Sequence, residues 1–270
     1  MSKLIRADQG QVADHSGVLL IGHGTRDPRG TQQFLELGER LVDAMHPIPT
    51  ESALLEFQHP TIQEAWESLV SRGVRHVHVA PLLLFAAGHA KQDIPVEIER
   101  CQKLSPGVTF DQSRPLSRHP AIIELVTARL REALQSPAHP SERTAIVLVG
   151  RGNRDPCAQA DMQVMTEVIR HRVGCGELTM AFYAMAKPSL PEVLDRLAST
   201  SRFDQIVVYP HLLFQGRLLE AIKRQLQEAA LRHPDIGFIA AKHLGPDPSI
   251  AEAIRMRILQ ATAVTAAECQ

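Results

Sequence analysis

The chain repeats itself. Val18-Leu-Leu-Ile-Gly-His-Gly-Thr-Arg-Asp-Pro28 returns as Ile146-Val-Leu-Val-Gly-Arg-Gly-Asn-Arg-Asp-Pro156, an offset of 156 − 28 = 128 that also pairs Pro60 with Pro188. Residues 18–132 thus correspond to 146–260. Self-similarity of this length demands two copies of one fold, each of about 130 residues and able to bury its own core. The expected layout is a polar tail at 1–16, an N-terminal domain at 17–134, a linker at 135–143 and a C-terminal domain at 144–265. Two prolines, Pro137 and Pro140, deny the linker regular structure.

Within each copy, short apolar runs alternate with helical periodicity, which predicts βαβ units and a parallel sheet. In the first copy strands are predicted at 18–22, 52–57, 76–85 and near 108–110. The helix after the first strand carries Phe34, Leu37, Leu41, Val42 and Met45 on one face. Thr61-Ile-Gln-Glu64 is a capping box opening the next helix, which buries Ile62, Trp66, Leu69 and Val70. A third helix starts near Asp93, and a helix at about 120–134 completes the unit. The second copy predicts strands near 145–150, 178–184, 205–214 and 236–241, with Ser189-Leu-Pro-Glu192 as the matching capping box. The fold class is α/β, a tandem duplication of a parallel-sheet βα domain with a cleft between the halves.

The duplication is an internal control for chemistry. His23 is matched by Arg151, Glu56 by Ala184, and His89 by Arg217 or Leu218 depending on a one-residue slip. The three first-copy residues follow the first three strands at equal separations, 56 − 23 = 33 and 89 − 56 = 33. The carboxyl ends of parallel strands open on one edge, where open α/β sheets place ligands, so the three can converge. Two imidazoles and a carboxylate suit a divalent iron, cobalt, nickel or zinc ion, with open positions for water or a substrate nitrogen. Either imidazole can alternatively accept a proton. Glu56 sits in an apolar run, Ala53-Leu-Leu-Glu-Phe57, where a buried carboxylate would need a partner. Taken singly, His23 could be a turn residue and His89 a loop residue; their joint loss in the second copy makes the case for a shared site. His76 and His78 alternate with apolar residues and read as structural, whereas His59, close to Glu56, is a candidate for supporting the site.

Several classes are excluded. A net charge of −1 with dispersed signs, and only one Trp and two Tyr, fits no nucleic-acid partner. Cys101, Cys157, Cys175 and Cys269 lack any C-x-x-C spacing and read as reduced thiols. The N-terminus has no signal-peptide stretch and no run is long enough to span a membrane, so the expectation is a cytoplasmic protein. Gly22-His-Gly-Thr-Arg-Asp27 lacks the third glycine of a dinucleotide loop, and no phosphate-binding lysine follows it. In a histidine phosphatase an arginine would directly precede the histidine; here Gly22 does.

Leu19-Leu-Ile-Gly-His-Gly-Thr-Arg26, Leu54-Leu-Glu-Phe-Gln-His-Pro60 and Ala80-Pro-Leu-Leu-Leu-Phe-Ala-Ala-Gly-His-Ala-Lys-Gln-Asp-Ile-Pro95 together resemble the sirohydrochlorin chelatases. These are class II, ATP-independent enzymes that insert iron for siroheme or cobalt for cobalamin. Their long members are tandem duplications with the active site in the N-terminal half. The resemblance implies that His23, Glu56 and His89 hold the metal and act in catalysis. It implies a divalent metal (Fe2+ or Co2+) as substrate, with no permanently bound cofactor. The chain departs from the family at His59, where relatives often carry a second glutamate, and it has no histidine-rich tail or cysteine cluster such as some cobalt-specific forms add, which favours iron. The partner implied is a tetrapyrrole bearing eight carboxylates, bound by a monomer in the cleft between halves. Arg151 and Arg217 would face the first-half site across that cleft, with Arg26, Lys91 and Arg154 as further carboxylate ligands. The competing reading is a carrier that binds metal or tetrapyrrole at the same residues without turnover; a phosphoryl-transfer enzyme using His23 is a more distant third.

Overall fold

The computed structural model describes residues 15–85, 92–134 and 141–268, the stretch 262–268 as backbone only. Two four-stranded, wholly parallel sheets alternate with helices, as the repeat requires. The first sheet contains β1 (Ser16–Gly22), β2 (Thr50–Leu54), β3 (His76–Pro81) and β4 (Thr109–Gln112), in the order β2-β1-β3-β4. The second contains β5 (Thr144–Gly150), β6 (Glu177–Phe182), β7 (Gln205–Pro210) and β8 (Gly237–Ala240), in the equivalent order β6-β5-β7-β8. The helices are α1 (Pro28–Met45), α2 (Ile62–Ser71), α3 (Ile94–Leu104), α4 (Pro120–Leu134), α5 (Pro156–Arg170), α6 (Leu190–Ala198), α7 (Arg217–Arg232) and α8 (Pro248–Glu268).

The central strands β1 and β5 are buried along their whole length, which is why they read as continuous apolar runs. On one face of the first sheet Leu19, Ile21, Val77 and Val79 pack against Trp66 and Leu69 of α2 and Ile98 of α3. Both predicted capping boxes form. Thr61 N–H donates to Glu64 Oε2 at 2.7 Å, and Ser189 N–H to Glu192 Oε2 at 2.8 Å. These bonds satisfy first-turn donors that would otherwise lack partners.

Several boundaries differ from the sequence reading. β1 starts at Ser16, inside the expected tail, because Ser16 pairs with His76. Of the expected linker, Ser141–Arg143 forms a single 3-10 turn; residues 135–140, and 1–14 of the tail, lie outside the described residues. The third strand was expected to run to 85 and its repeat to 214; they end at Pro81 and Pro210. There Leu83 N–H and Leu212 N–H turn back onto the proline carbonyls, at 3.0 and 2.9 Å. The apolar run continues, but in a turn that extends no ladder.

Strand register also places the one-residue slip. Ser16 pairs with His76 and Thr144 with Gln205, giving offsets of 144 − 16 = 128 and 205 − 76 = 129. The extra residue therefore enters before β7, and it is removed again before β8, where Thr109 and Gly237 restore 237 − 109 = 128. His89 falls between these points and outside the described residues, so its match stays Arg217 or Leu218.

The expectation that the helix at 120–134 completes the first unit does not hold. One compact unit contains the first sheet with α2, α3 and α8; the other contains the second sheet with α4 to α7 and the segment Asp27–Gln33. Accordingly α4 packs on α5 and β7, and α8 on β3 and β4. The two final helices of a duplicated fold present the same kind of apolar stripe, Ile122, Val126 and Leu130 on α4 and Ile250, Ile254 and Ile258 on α8, so either sheet can accept either copy.

His211 and His243 are buried in the second unit. His211 N–H bonds to Val149 O as Leu82 N–H bonds to Ile21 O, both at 2.8 Å, so His211 holds the place of Leu82. Burial pushes the His211 imidazole down to about 3. Burial, with the nearby Lys223, Lys242 and Arg129 charges, pushes His243 down to about 4. Both folded values lie below the ordinary 6.5, so between them the unfolded chain binds more protons and stability falls as pH falls. The expected slope is about 1.4 kcal/mol per pH unit for each histidine below pH 6.5. Urea unfolding at pH 7 and pH 5 should show this loss, and His211→Leu should reduce the slope by close to one proton. An unchanged slope in that variant would contradict the assignment.

Candidate active site

The chain leaves β1 through His23 and Gly24. Two further hydrogen bonds carry the β1–β2 pairing beyond Leu54: Leu55 N–H donates to Gly22 O at 2.9 Å, and Glu56 N–H to His23 O at 3.1 Å. His23 and Glu56 are therefore the adjoining residues of the last rung at the carboxyl edge of the sheet. Gly24 takes φ +90°, and a Cβ there would lie 2.1 Å from the Glu56 carbonyl oxygen. Only glycine permits that approach. Phe57 also adopts a left-handed φ of 72°, which turns the chain out of the strand direction.

The order β2-β1-β3-β4 reverses direction between β1 and β3, and the crevice outside such a reversal is where open α/β sheets bind ligands. His23 follows β1 there, half-buried. His89 and Lys91, on the segment after β3, lie outside the described residues.

Glu56 departs from the sequence reading in one respect. The second strand ends at Leu54 instead of 57, and Glu56 stands exposed beyond it. No burial penalty applies to its carboxylate, so its claim rests on its place beside His23. It borders an open depression of about 520 Å³ between α2 and α3, whose rim also carries Asp93, Glu97 and Arg100. The exposed Arg26 lays its guanidinium over the Phe57 ring, 4.8 Å from the centroid, a cation–π contact that parks a positive charge at the same rim. Phe57 carried no signal in the sequence; its role here is visible only from the fold.

His59 proves to belong to the helix cap. Its Nδ1 lies 2.9 Å from Glu64 Oε2, and the Thr61 backbone N–H together with this imidazole holds the Glu64 carboxyl down at about 2. His76 and His78 lie together with Asp111, in a cluster separate from His23 and Glu56.

The second sheet carries the same loop. Tyr183 N–H donates to Gly150 O and Ala184 N–H to Arg151 O, both at 2.9 Å. Gly152 has φ +89°, and a Cβ there would lie 1.7 Å from the Ala184 carbonyl oxygen. Arg151 and Ala184 thus occupy the backbone positions of His23 and Glu56, with neither an imidazole nor a carboxylate. Arg151, Arg154 and Arg217 are exposed. Arg217 opens α7, where it adds to Arg29 in holding the Asp27 carboxyl below the ordinary range.

Against known proteins, the CbiX family model matches residues 17–133 and again 145–261. The chain belongs to the CbiX family. It is 29% identical to a sirohydrochlorin ferrochelatase of Bacillus subtilis (strain 168), covering 91% of this chain and 92% of that one. It is also 29% identical to a sirohydrochlorin cobaltochelatase of Priestia megaterium, covering 89% of this chain and 78% of the relative. Among solved structures, SirB from Bacillus subtilis with Fe3+ superposes with a TM-score of 0.83 at 28% identity, covering 93% of this chain and 97% of that one. SirB from Bacillus subtilis subspecies spizizenii in complex with cobalt gives 0.77 at 26% identity, covering 92% of this chain and 95% of that one. Among the described residues no helix is long and apolar enough to cross a membrane.

Because Gly24 sets the distance between the His23 and Glu56 backbones, Gly24→Ala should displace the Glu56 carbonyl and cost about 1–3 kcal/mol of stability in urea unfolding. Gly174→Ala, where a Cβ would meet nothing within 4 Å, is the matched control and should stay within about 0.5 kcal/mol of the parent.

Proposed function

We propose that this protein is a chelatase that inserts a divalent metal into sirohydrochlorin without ATP, at a site made by His23, Glu56 and His89. The observation that carries the reading is the backbone bond from Glu56 to His23 just past the β1–β2 ladder, which brings these two residues together in a CbiX-family chain whose second copy has Arg151 and Ala184 at the same backbone positions.

Insertion exchanges two pyrrole N–H protons for one M2+ ion, so the site must hold the metal and accept two protons. His23 and His89 hold the ion on one face of the ring. Glu56 and one imidazole take the protons, and the exposure of Glu56 lets its proton pass directly to water. Nothing in this exchange needs a covalent intermediate or a nucleotide. The remaining work is positioning a partly dehydrated ion against four ring nitrogens and binding a bent macrocycle better than a flat one. Arg26, Lys91, Arg151, Arg154 and Arg217 are proposed to bind substrate carboxylates, for which a guanidinium supplies a two-pronged hydrogen-bond donor.

Iron is proposed as the metal, with cobalt as the alternative substrate. The test is anaerobic absorbance of sirohydrochlorin mixed with ferrous or cobaltous ion. The wild type should accelerate insertion, the faster ion naming the physiological metal. His23→Ala and Glu56→Ala should each slow insertion by about 100-fold or more. A carrier would bind metal without turnover, so metal entry no faster with the wild type than without protein would decide for the carrier, whereas undiminished insertion by Glu56→Ala would remove only Glu56 from the chemistry.

The Arg151→Ala, Arg217→Ala double variant should raise KM for sirohydrochlorin roughly 10-fold while leaving metal binding intact, each lost pair on these exposed side chains being worth up to about 1 kcal/mol. Unchanged KM would remove both arginines from the substrate site.

A further inference from the structure

His76, His78 and Asp111 form a second donor cluster, at the other end of the first sheet. His76 opens β3 and His78 follows two residues on, so both project from the face opposite Val77 and Val79, which belong to the α2/α3 core. Asp111 of β4 pairs in register with His78. Asp111 Oδ2 lies 2.9 Å from His78 Nδ1 and 3.1 Å from His76 Nε2. One ligand atom from each of the three residues lies within 4.8 Å of the others. The other nitrogen of His76, Nδ1, lies 2.7 Å from Thr109 Oγ1.

Three observations make this more than a surface ion pair. His78 is only 3% exposed, and its Nε2 and Asp111 Oδ1 are buried without a hydrogen-bond partner among the described residues. Burial pushes the Asp111 carboxyl up, yet hydrogen bonds from His76 and His78 outweigh it and hold the group at about 2, a full negative charge in a largely enclosed place. Finally, the duplicated sheet does without all three. Matching register puts Gln205, Val207 and Ile239 at the positions of His76, His78 and Asp111. The fold therefore has no need of two imidazoles and a carboxylate there.

We propose that His76 Nε2, His78 Nδ1 and Asp111 Oδ2 bind one divalent first-row ion of the zinc type, resident in the protein and separate from the ion it inserts. Tetrahedral ligands about 2.0–2.1 Å from zinc stand about 3.3 Å apart, so the two separations from Asp111 Oδ2 need to open by only a few tenths of an ångström, and the two imidazole nitrogens lie within 4.8 Å of each other. The partial exposure of the His76 and Asp111 side chains, 28% and 17%, leaves a side open for ion entry and for water as the fourth ligand. Thr109 Oγ1 on His76 Nδ1 supplies the outer hydrogen bond that orients a ligating imidazole. His76 pairs with Ser16 while His23 follows Gly22, so the two sites lie about 20 Å apart along β1. An ion here is too far away to be passed directly to a macrocycle at His23.

The test removes the insertion site first. A His23→Ala, Glu56→Ala, His89→Ala variant is titrated anaerobically with Co2+, read by visible d–d absorption, and the bound ion is then competed off with Zn2+. One equivalent of Co2+ should bind. Adding His78→Val and Asp111→Ile, the residues the second sheet carries at these positions, should abolish it, with circular dichroism unchanged. Asp111→Asn alone, which keeps the side-chain shape, should weaken binding at least about 10-fold. No Co2+ uptake by the first variant, or uptake untouched by the His78 and Asp111 changes, would overturn the proposal and leave the cluster an ion pair without metal. Neither result bears on the insertion chemistry, which is read on sirohydrochlorin with His76, His78 and Asp111 intact.

Discussion

Two backbone hydrogen bonds past the end of a strand pair hold together the segments that carry His23 and Glu56. Leu55 and Glu56 donate to Gly22 and His23, and this close approach of two chains is possible only because residue 24 has no Cβ. That backbone geometry fixes His23 and Glu56 on neighbouring segments just past β1 and β2, at the edge where the sheet order reverses. The second copy has the same bonds and the same glycine, with Arg151 and Ala184 in place. The loop is therefore a property of the fold, and only the first copy mounts a histidine and a glutamate on it.

Duplication let the two sheets diverge in opposite directions. The first has polar residues at the carboxyl edge and, through His76, His78 and Asp111, near its amino end. The second has arginine, alanine, glutamine, valine and isoleucine at those positions, and buries His211 where the first has Leu82. In both sheets the inner face stays apolar and closely packed, as a parallel sheet covered by helices requires. The exchange of α4 and α8 between compact units adds a constraint that neither copy alone imposes, since each sheet is completed by a helix from the other half of the sequence.

Much of this was legible in the chain itself. Strand–helix alternation, both capping boxes and the helix at 120–134 follow from local rules, periodicity and reciprocal capping, that act within a few residues. The strand ends after Leu54, Pro81 and Pro210 were less so, because the apolar runs continue past them and only the turn hydrogen bonds stop the ladder. Among site residues, His23 and Glu56 emerged from the comparison of copies, but the burial argued for Glu56 failed with the strand boundary it depended on. His59, close to Glu56 in sequence, turned out to serve the α2 cap.

What the sequence determined by itself is whatever repeats or alternates: the duplication, the parallel α/β class, the inward faces and the three residues lost from one copy. These depend on patterns that a linear chain displays. The tertiary structure alone decided which helix covers which sheet, how Arg26 comes to rest on Phe57, and that Asp111 meets His76 and His78. Each of those needs residues far apart in sequence to share a register or a surface. In a parallel sheet the register is set by the crossover helices and the packing beneath them, so no local pattern records it.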